Sequence, residues 1–131
     1  MAAEPVWLSR ELVDQIHANQ IEEHGGSHGA RDDGLIESAL ERPRNRWQYD
    51  PEADLHSLAA AYGYGLAKNH GYIDGNKRVA YMAMYVFLGL NGLEIEVAEP
   101  ETVMAMLEVA AGERSEDQLV EWLREHTIPF E

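Results

Sequence analysis

Apolar residues recur at helical spacing in six stretches, separated by polar or glycine-rich breaks. Ser9 stands before Leu12, Val13, Ile16 and Ile21, and Gly25-Gly26 closes the run, which predicts a first helix from Ser9 to about Glu23. After the glycine-rich HGGSHGARDDG, Asp32 or Asp33 caps a short second helix with Leu35, Ile36, Ala39 and Leu40 inward, ended near Pro43. ERPRNRWQYDPEAD, with its two prolines, then reads as an irregular surface excursion. Asp54 caps a third helix that turns Leu55, Leu58, Ala59, Tyr62 and Leu66 inward. Its small residues Ala60, Ala61, Gly63 and Gly65 allow close neighbours, so this helix is expected at the centre.

A fourth helix runs from about Asn76 through Val79, Ala83, Val86, Phe87 and Leu90 to the stop Asn91-Gly92. LEIEV alternates and predicts a short extended piece. Pro100 suits the first turn of a fifth helix with Val103, Met106, Leu107 and Ala110 inward, as far as Gly112. SEDQ is a capping box, Ser115 with Gln118, opening a sixth helix with Leu119, Trp122 and Leu123. No repeat, low-complexity tract or linker is visible. The expected architecture is one all-α domain over residues 1–131, a compact bundle of about six helices.

Size and composition agree with that expectation. The 131 residues are enough for one core, and 45% hydrophobic with 26% charged residues is ordinary for a soluble globular chain. No stretch approaches the ~18 consecutive apolar residues of a membrane span, and MAAEPVWLSRELVD lacks the basic and apolar regions of a secretory signal, so a cytoplasmic location is expected. Cysteine is absent, which excludes disulfides and thiol catalysis. Ten Lys and Arg against 24 Asp and Glu leave a net charge of −14, a balance that repels nucleic-acid phosphates and anionic lipid. Yet the only two lysines, Lys68 and Lys77, flank or sit in one segment, HGYIDGNKR at 70–78, where Arg78 follows. A local positive island on an acidic protein suits a small bound anion.

That segment concentrates chemistry that an ordinary turn does not need. If the fourth helix begins near Asn76, the amides of Gly75, Asn76 and Lys77 are unpaired donors of a helix N-terminus, where anions bind. Gly75 removes a Cβ from the approach of a phosphate, Asn76 adds a side-chain amide, and Lys77 and Arg78 bring full charges. Cations at a helix start oppose the macrodipole by about 0.3–1 kcal/mol each, a cost that an arriving anion would offset. Asp74 can ligate Mg²⁺ and His70 can take a proton near neutral pH. Together they supply what phosphoryl transfer asks for: charge neutralisation, a metal on the phosphates and a base for the incoming hydroxyl. The plainer readings are a surface histidine, an aspartate turn and a solvated cation pair. His70 and Asp74 also resemble a transition-metal pair, with His24, His28 and His56 available, but a third ligand at readable spacing is not evident.

His70, Tyr72, Asp74, Gly75, Asn76, Lys77 and Arg78 resemble the signature of the Fic/Doc family, H-x-F-x-[DN]-[AG]-N-[GK]-R. Lys before Arg is the form of its Doc (death on curing) toxins, and the upstream HGGSHGARDDGLIESALERP is similar to the Doc N-terminal stretch. The resemblance implies an all-helical Fic/Doc fold. Fic proteins typically transfer AMP from ATP to a protein hydroxyl, whereas Doc toxins bind ATP in a reversed sense and transfer its γ-phosphate. Lys77, where most Fic enzymes carry glycine, and Tyr81, where they carry a second arginine, favour the Doc branch; Gly75 is the Fic-like residue where Doc proteins often have alanine.

Carried over, His70 activates the target hydroxyl, Asp74 holds Mg²⁺, and Gly75, Asn76, Lys77 and Arg78 cradle ATP, while Tyr72, in place of Phe, anchors the loop in the core. The target known for Doc toxins is a threonine of elongation factor Tu, whose modification stops translation. ERPRNRWQ is similar by position to the segment that aligns the target chain, which makes Arg42, Arg44, Arg46 and Trp47, with Lys68, candidate contacts for substrate or partner. The alternative there is an arginine-rich solvated loop with Trp47 packed down. The self-inhibitory string [ST]-x-x-x-E-[GN] is absent, so the resemblance implies control by a Phd-type antitoxin that lays a helix near the site. The competing functions are a Fic-type AMP transferase, a catalytically inactive relative that binds a partner and, further behind, a metal-dependent hydrolase using His70 and Asp74.

Overall fold

The structure, a computed structural model, describes residues 3–130; the two residues before and the one after, which the expected domain includes, lie outside the described residues. Its elements are α1 (Arg10–His24), α2 (Asp33–Tyr49), α3 (Leu55–Asn69), α4 (Asn76–Leu90), β1 (Leu93–Ile95), α5 (Glu99–Ala110), α6 (Glu116–His126) and β2 (Thr127–Pro129). The described residues are mostly helical and form the six expected helices, and the all-α expectation holds apart from a sheet of two three-residue strands.

Local side-chain chemistry places most of the helix starts. Ser9 accepts from the Leu12 amide at 3.1 Å, Asp32 from Leu35 at 3.1 Å and Asp54 from Ser57 at 2.8 Å. The Ser115 amide donates to Gln118 Oε1 at 2.8 Å while the Gln118 amide donates to Ser115 Oγ at 3.1 Å, the reciprocal box that the sequence predicts.

The second helix departs from expectation. It passes through Pro43 and ends only at Tyr49, so the excursion expected over 41–54 shrinks to the few residues before α3. An internal proline costs a helix about 3 kcal/mol. Here Pro43 is buried, and Arg42 and Arg46 on either side of it are tied to Glu116 of α6, so tertiary contacts hold the last turns in place.

The extended piece predicted from LEIEV is β1, and it pairs antiparallel with β2, which periodicity did not reveal, with Glu94 opposite Ile128. α3 lies at the centre. It packs most closely on α2 and α4, then α6 and α5, and Ala59, Ala60, Ala61 and Tyr62 are fully buried. Its small residues act as expected: a Cβ on Gly65 would stand 3.2 Å from the Ala39 Cα of α2. The Tyr62 hydroxyl accepts the Leu8 amide at 3.0 Å, which ties the chain leading into α1 to this core. α3 and α4 are joined by residues 70–75, so the signature loop is carried on the two most constrained helices.

Candidate active site

α3 ends in an unusual conformation. His70 has φ 52° and ψ 47°, the only positive φ of a non-glycine residue among the described residues, a state that costs about 1–2 kcal/mol. The surroundings hold it there. Arg31 Nε donates to the His70 carbonyl at 2.8 Å and its Nη2 to the Asn69 carbonyl at 3.3 Å, placing a cation against the negative end of α3. The Gly71 carbonyl accepts the amides of Arg31 (2.7 Å) and Asp32 (3.0 Å), and the Ile73 amide donates to the Gly29 carbonyl at 3.0 Å. With the bridge between Ala30 and Tyr72, these bonds stitch the glycine-rich segment before α2 to the signature loop. The His70 imidazole itself is left exposed, with no hydrogen-bond partner among the described residues.

Beneath the loop lies a buried polar layer. Tyr72 is 3% exposed and its ring stacks on His17 at 3.9 Å between centroids and 10° between planes. Its hydroxyl donates to Asp14 Oδ1 at 2.6 Å, and Arg10 Nε donates to the same oxygen at 2.9 Å. Burial, and then the Asp14 carboxylate, raise the Tyr72 phenol well above its ordinary range. Arg10 loses by burial but gains more from Asp14, Asp33 and Glu37, so its charge is reinforced. Tyr72 is thus a packed, neutral side chain.

Among the described residues the starts of α4 and α5 lack a side-chain cap, and only the mouth of α4 follows a left-handed residue. Gly75, at φ 77° and ψ 17°, precedes the helix with no side-chain cap. A left-handed residue followed by right-handed ones turns successive N–H groups toward one point, an anion-binding concavity. A Cβ on Gly75 would stand 3.2 Å from Ile21 Cδ1, so the loop also sits close on α1. Beside the mouth, exposed Asp74 accepts the Ser27 amide on Oδ2 at 2.9 Å, which orients the carboxylate. Lys77 and Arg78 have no carboxylate partner among the described residues, and they line a cleft of about 390 Å³ with Gln20, Glu23, Tyr81 and Met106. No group of three His, Cys, Asp or Glu that could hold a metal occurs among the described residues. The carboxylate of Asp74 fits Mg²⁺, which takes one or two carboxylates and completes its shell with phosphate oxygens and water.

The structure therefore gathers His70, Asp74, Gly75, Lys77 and Arg78 around one helix start, with Tyr72 below. Asn76 needs correction. Its side chain is buried and spent on Tyr72, donating to the Tyr72 carbonyl at 3.0 Å and accepting the Tyr72 amide at 3.0 Å. It offers an anion only its backbone N–H, because the side-chain amide closes the loop.

The other candidates lie among intramolecular partners. Arg42 pairs with Glu116; Arg46 Nη1 reaches Glu116 at 3.1 Å and its Nε reaches Asp50 at 3.3 Å; the Arg44 guanidinium lies 5.5 Å from the Trp7 ring centre. Trp47 packs against the core, its Nε1 buried without a partner. Lys68 is exposed in the last turn of α3, its Nζ near Gly112 beyond α5. Reading the sequence did not single out Arg31, Ser27 or the α1 face of Arg10, Asp14 and His17. The one available signal was that face, whose i, i+4, i+7 spacing interrupts the apolar stripe of α1 with polar residues.

The chain as a whole is similar to known proteins. The chain is 31% identical over 117 residues, 89% of its length and 92% of the relative's, to "Protein kinase doc" of Escherichia phage P1. It is 39% identical over 90 residues, 68% of its length and 67% of the relative's, to "Toxin Doc" of Mycolicibacterium smegmatis. The family model described as Fic/DOC family matches residues 7–88. That span takes in α1, the glycine-rich segment, α2, α3 and the start of α4, all the elements that build the mouth, and the chain belongs to the Fic/DOC family.

Proposed function

We propose that the protein is a Doc-type toxin and protein kinase that moves the γ-phosphate of ATP to a serine or threonine hydroxyl of a translation factor, elongation factor Tu being the first candidate, and so halts translation and growth. The observation that carries this reading is the start of α4, where left-handed Gly75 leaves the helix without a side-chain cap directly after the exposed Asp74 and five residues after the exposed His70. The names of two relatives, a kinase and a toxin, support it.

In this reading the amides at Gly75 to Arg78 and the charges of Lys77 and Arg78 hold the triphosphate oxygens, replacing the water those oxygens lose. Asp74 would hold Mg²⁺, which supplies further neutralisation of phosphate charge when bound. His70 accepts the proton of the attacking hydroxyl as its oxygen bonds to the γ-phosphorus and the bond to the ADP oxygen breaks. The left-handed backbone at His70, held by Arg31, directs the ring out of the end of α3 to where a protein hydroxyl can reach it.

Control by an antitoxin of the Phd type completes the reading. The cleft beside Lys77 and Arg78 runs along α5, which exposes Val103, Met104 and Leu107. Positions four apart on such a face suit an amphipathic helix laid in the groove. No helix among the described residues is long and apolar enough to cross a membrane, and the charge of −14 opposes nucleic acid. A cytoplasmic location is part of the same proposal.

A second reading, transfer of AMP, is favoured by one feature, the absence of a Cβ at Gly75. ATP labelled at the γ or the α position, incubated with a cell extract, decides between them. The kinase reading expects γ-label on a protein target and a loss of about 10²–10⁴ in rate with His70→Ala. Transfer of α-label alone replaces it with AMP transfer, and growth inhibition that survives His70→Ala leaves only a binding role.

A further inference from the structure

α1 carries one buried polar ring that the reaction above does not use. His17 is 3% exposed, and its Nε2 lies 2.8 Å from the backbone carbonyl oxygen of Asp74. A carbonyl oxygen can only accept, so Nε2 carries the hydrogen. The ring has little freedom to turn away. One face stacks on Tyr72 at 3.9 Å and 10°, and Tyr72 is in turn fixed through its hydroxyl to Asp14 of the same helix.

The consequence lies in the next peptide unit. The described residues contain no cis peptide bond, so in the Asp74–Gly75 unit the carbonyl and the Gly75 N–H point in opposite directions. With the carbonyl drawn toward α1, the Gly75 N–H faces away from it. The missing Gly75 side chain confirms which side is α1: a Cβ there would lie 3.2 Å from Ile21 Cδ1 and 3.7 Å from His17 Nε2. Glycine at this position can rotate more freely than any other residue, so something must select one orientation of the peptide, and among the described residues the only side-chain donor on that carbonyl is His17.

We propose that His17 is a positioning residue for the anion site at the start of α4: by holding the Asp74 carbonyl against α1 it presents the Gly75 N–H to the mouth and steadies the backbone that carries the Asp74 carboxylate. This rests on reading that mouth as the nucleotide site. His17 touches no reacting atom, and its role is to keep the amide aimed before the nucleotide arrives, which removes a reorganisation step from binding.

Two substitutions separate hydrogen bonding from packing. His17→Phe keeps an aromatic face for Tyr72 but has no donor, whereas His17→Gln places an N–H the same number of bonds from the backbone as Nε2. Calorimetry with Mg·ATP is expected to give wild-type affinity for His17→Gln and about tenfold weaker binding for His17→Phe, the usual consequence of leaving a buried acceptor unpaired. Wild-type affinity in a folded His17→Phe protein overturns the proposal, as does His17→Gln binding no better than His17→Phe.

A second readout needs no nucleotide. In ¹⁵N spectra of the free proteins the Gly75 amide should keep its position in His17→Gln and move in His17→Phe; an unmoved signal overturns the proposal. If the wild-type protein binds no Mg·ATP, the nucleotide reading fails, and these spectra still decide whether His17 orients the peptide. Should His17→Phe not fold, the imidazole ¹⁵N spectrum of the wild type remains, where a ring protonated only at Nδ1 would be incompatible with the proposed bond.

Discussion

The side chain of Asn76 and the backbone of Tyr72 form a closed ring of two hydrogen bonds, each 3.0 Å, that folds the signature loop back on itself before α4 begins. Both groups are buried, so neither bond can be replaced by water. Asn76→Asp substitutes an acceptor for the donor and sets it against the Tyr72 carbonyl. A loss of about 1–3 kcal/mol is expected, the cost of an unsatisfied buried group. Urea titration should report that loss, together with reduced transfer activity; an Asn76→Asp protein as stable as the wild type would mean that the ring contributes nothing.

Gly71 makes the same loop sensitive to a single methyl. A Cβ there would collide with Ile36 Cγ1 and lie 3.1 Å from the Ile36 backbone nitrogen, at the fixed start of α2. Gly63→Ala is the useful comparison. Its Cβ meets only the side chain of Met84, away from the loop. Each substitution is expected to destabilise by about 1–3 kcal/mol through overpacking, but only Gly71→Ala displaces the residue following His70. Assayed well below their melting temperatures, Gly63→Ala should keep the label-transfer activity and Gly71→Ala should lose most of it.

The contrast between these two glycines reflects what a sequence reveals. Features closed within three or four residues were legible: Ser9, Asp54 and Ser115 cap the helices that their positions predict, because donor and acceptor are both in the local string. Features that depend on a distant partner were not. Pro43 reads as a helix end until Glu116 is brought against Arg42 and Arg46, and β2 has no pattern apart from β1. The site shows the same division. The chemistry of His70, Asp74 and Lys77 was visible in the motif, whereas His17 and Arg31 reach the loop from other segments; Asn76 is the exception, because its side chain is spent on Tyr72 only four residues away.

Glu116 binds two of the arginines that the sequence offered as substrate contacts. Its side chain is 16% exposed, against 46% for Arg42 and 21% for Arg46, so the acid is the best shielded of the three. Glu116→Gln removes the charge and leaves both guanidinium groups with weaker partners beside Pro43. A loss of about 1 kcal/mol is expected, near the upper end for a pair still reached by solvent. If the arginines serve the fold, thermal melting will fall while Mg·ATP binding and label transfer stay unchanged; a rise in KM for the protein target with unaltered stability would assign them to target alignment instead.

Asp54 gives the fold a calculable acid sensitivity. Burial pushes its carboxyl upward, but bonds from the Ser57 amide and hydroxyl and from Arg124 outweigh it, and the group titrates below its ordinary value. A folded-state value below the unfolded one means that the stabilisation is complete above the unfolded value, near ~3.9, and is lost as pH falls through the folded one. Asp54→Ala should therefore cost about 0.5–2 kcal/mol at neutral pH, the range for a lost N-cap, and the gap from wild type should narrow below pH ~4. His56 Nδ1 lies 3.8 Å from Asp54 Oδ2, so the same urea series is run in parallel with His56→Gln in both proteins. A gap that persists undiminished to pH ~3 would show that the neutral carboxyl caps α3 as well as the charged one, and that the Arg124 pair adds no stability.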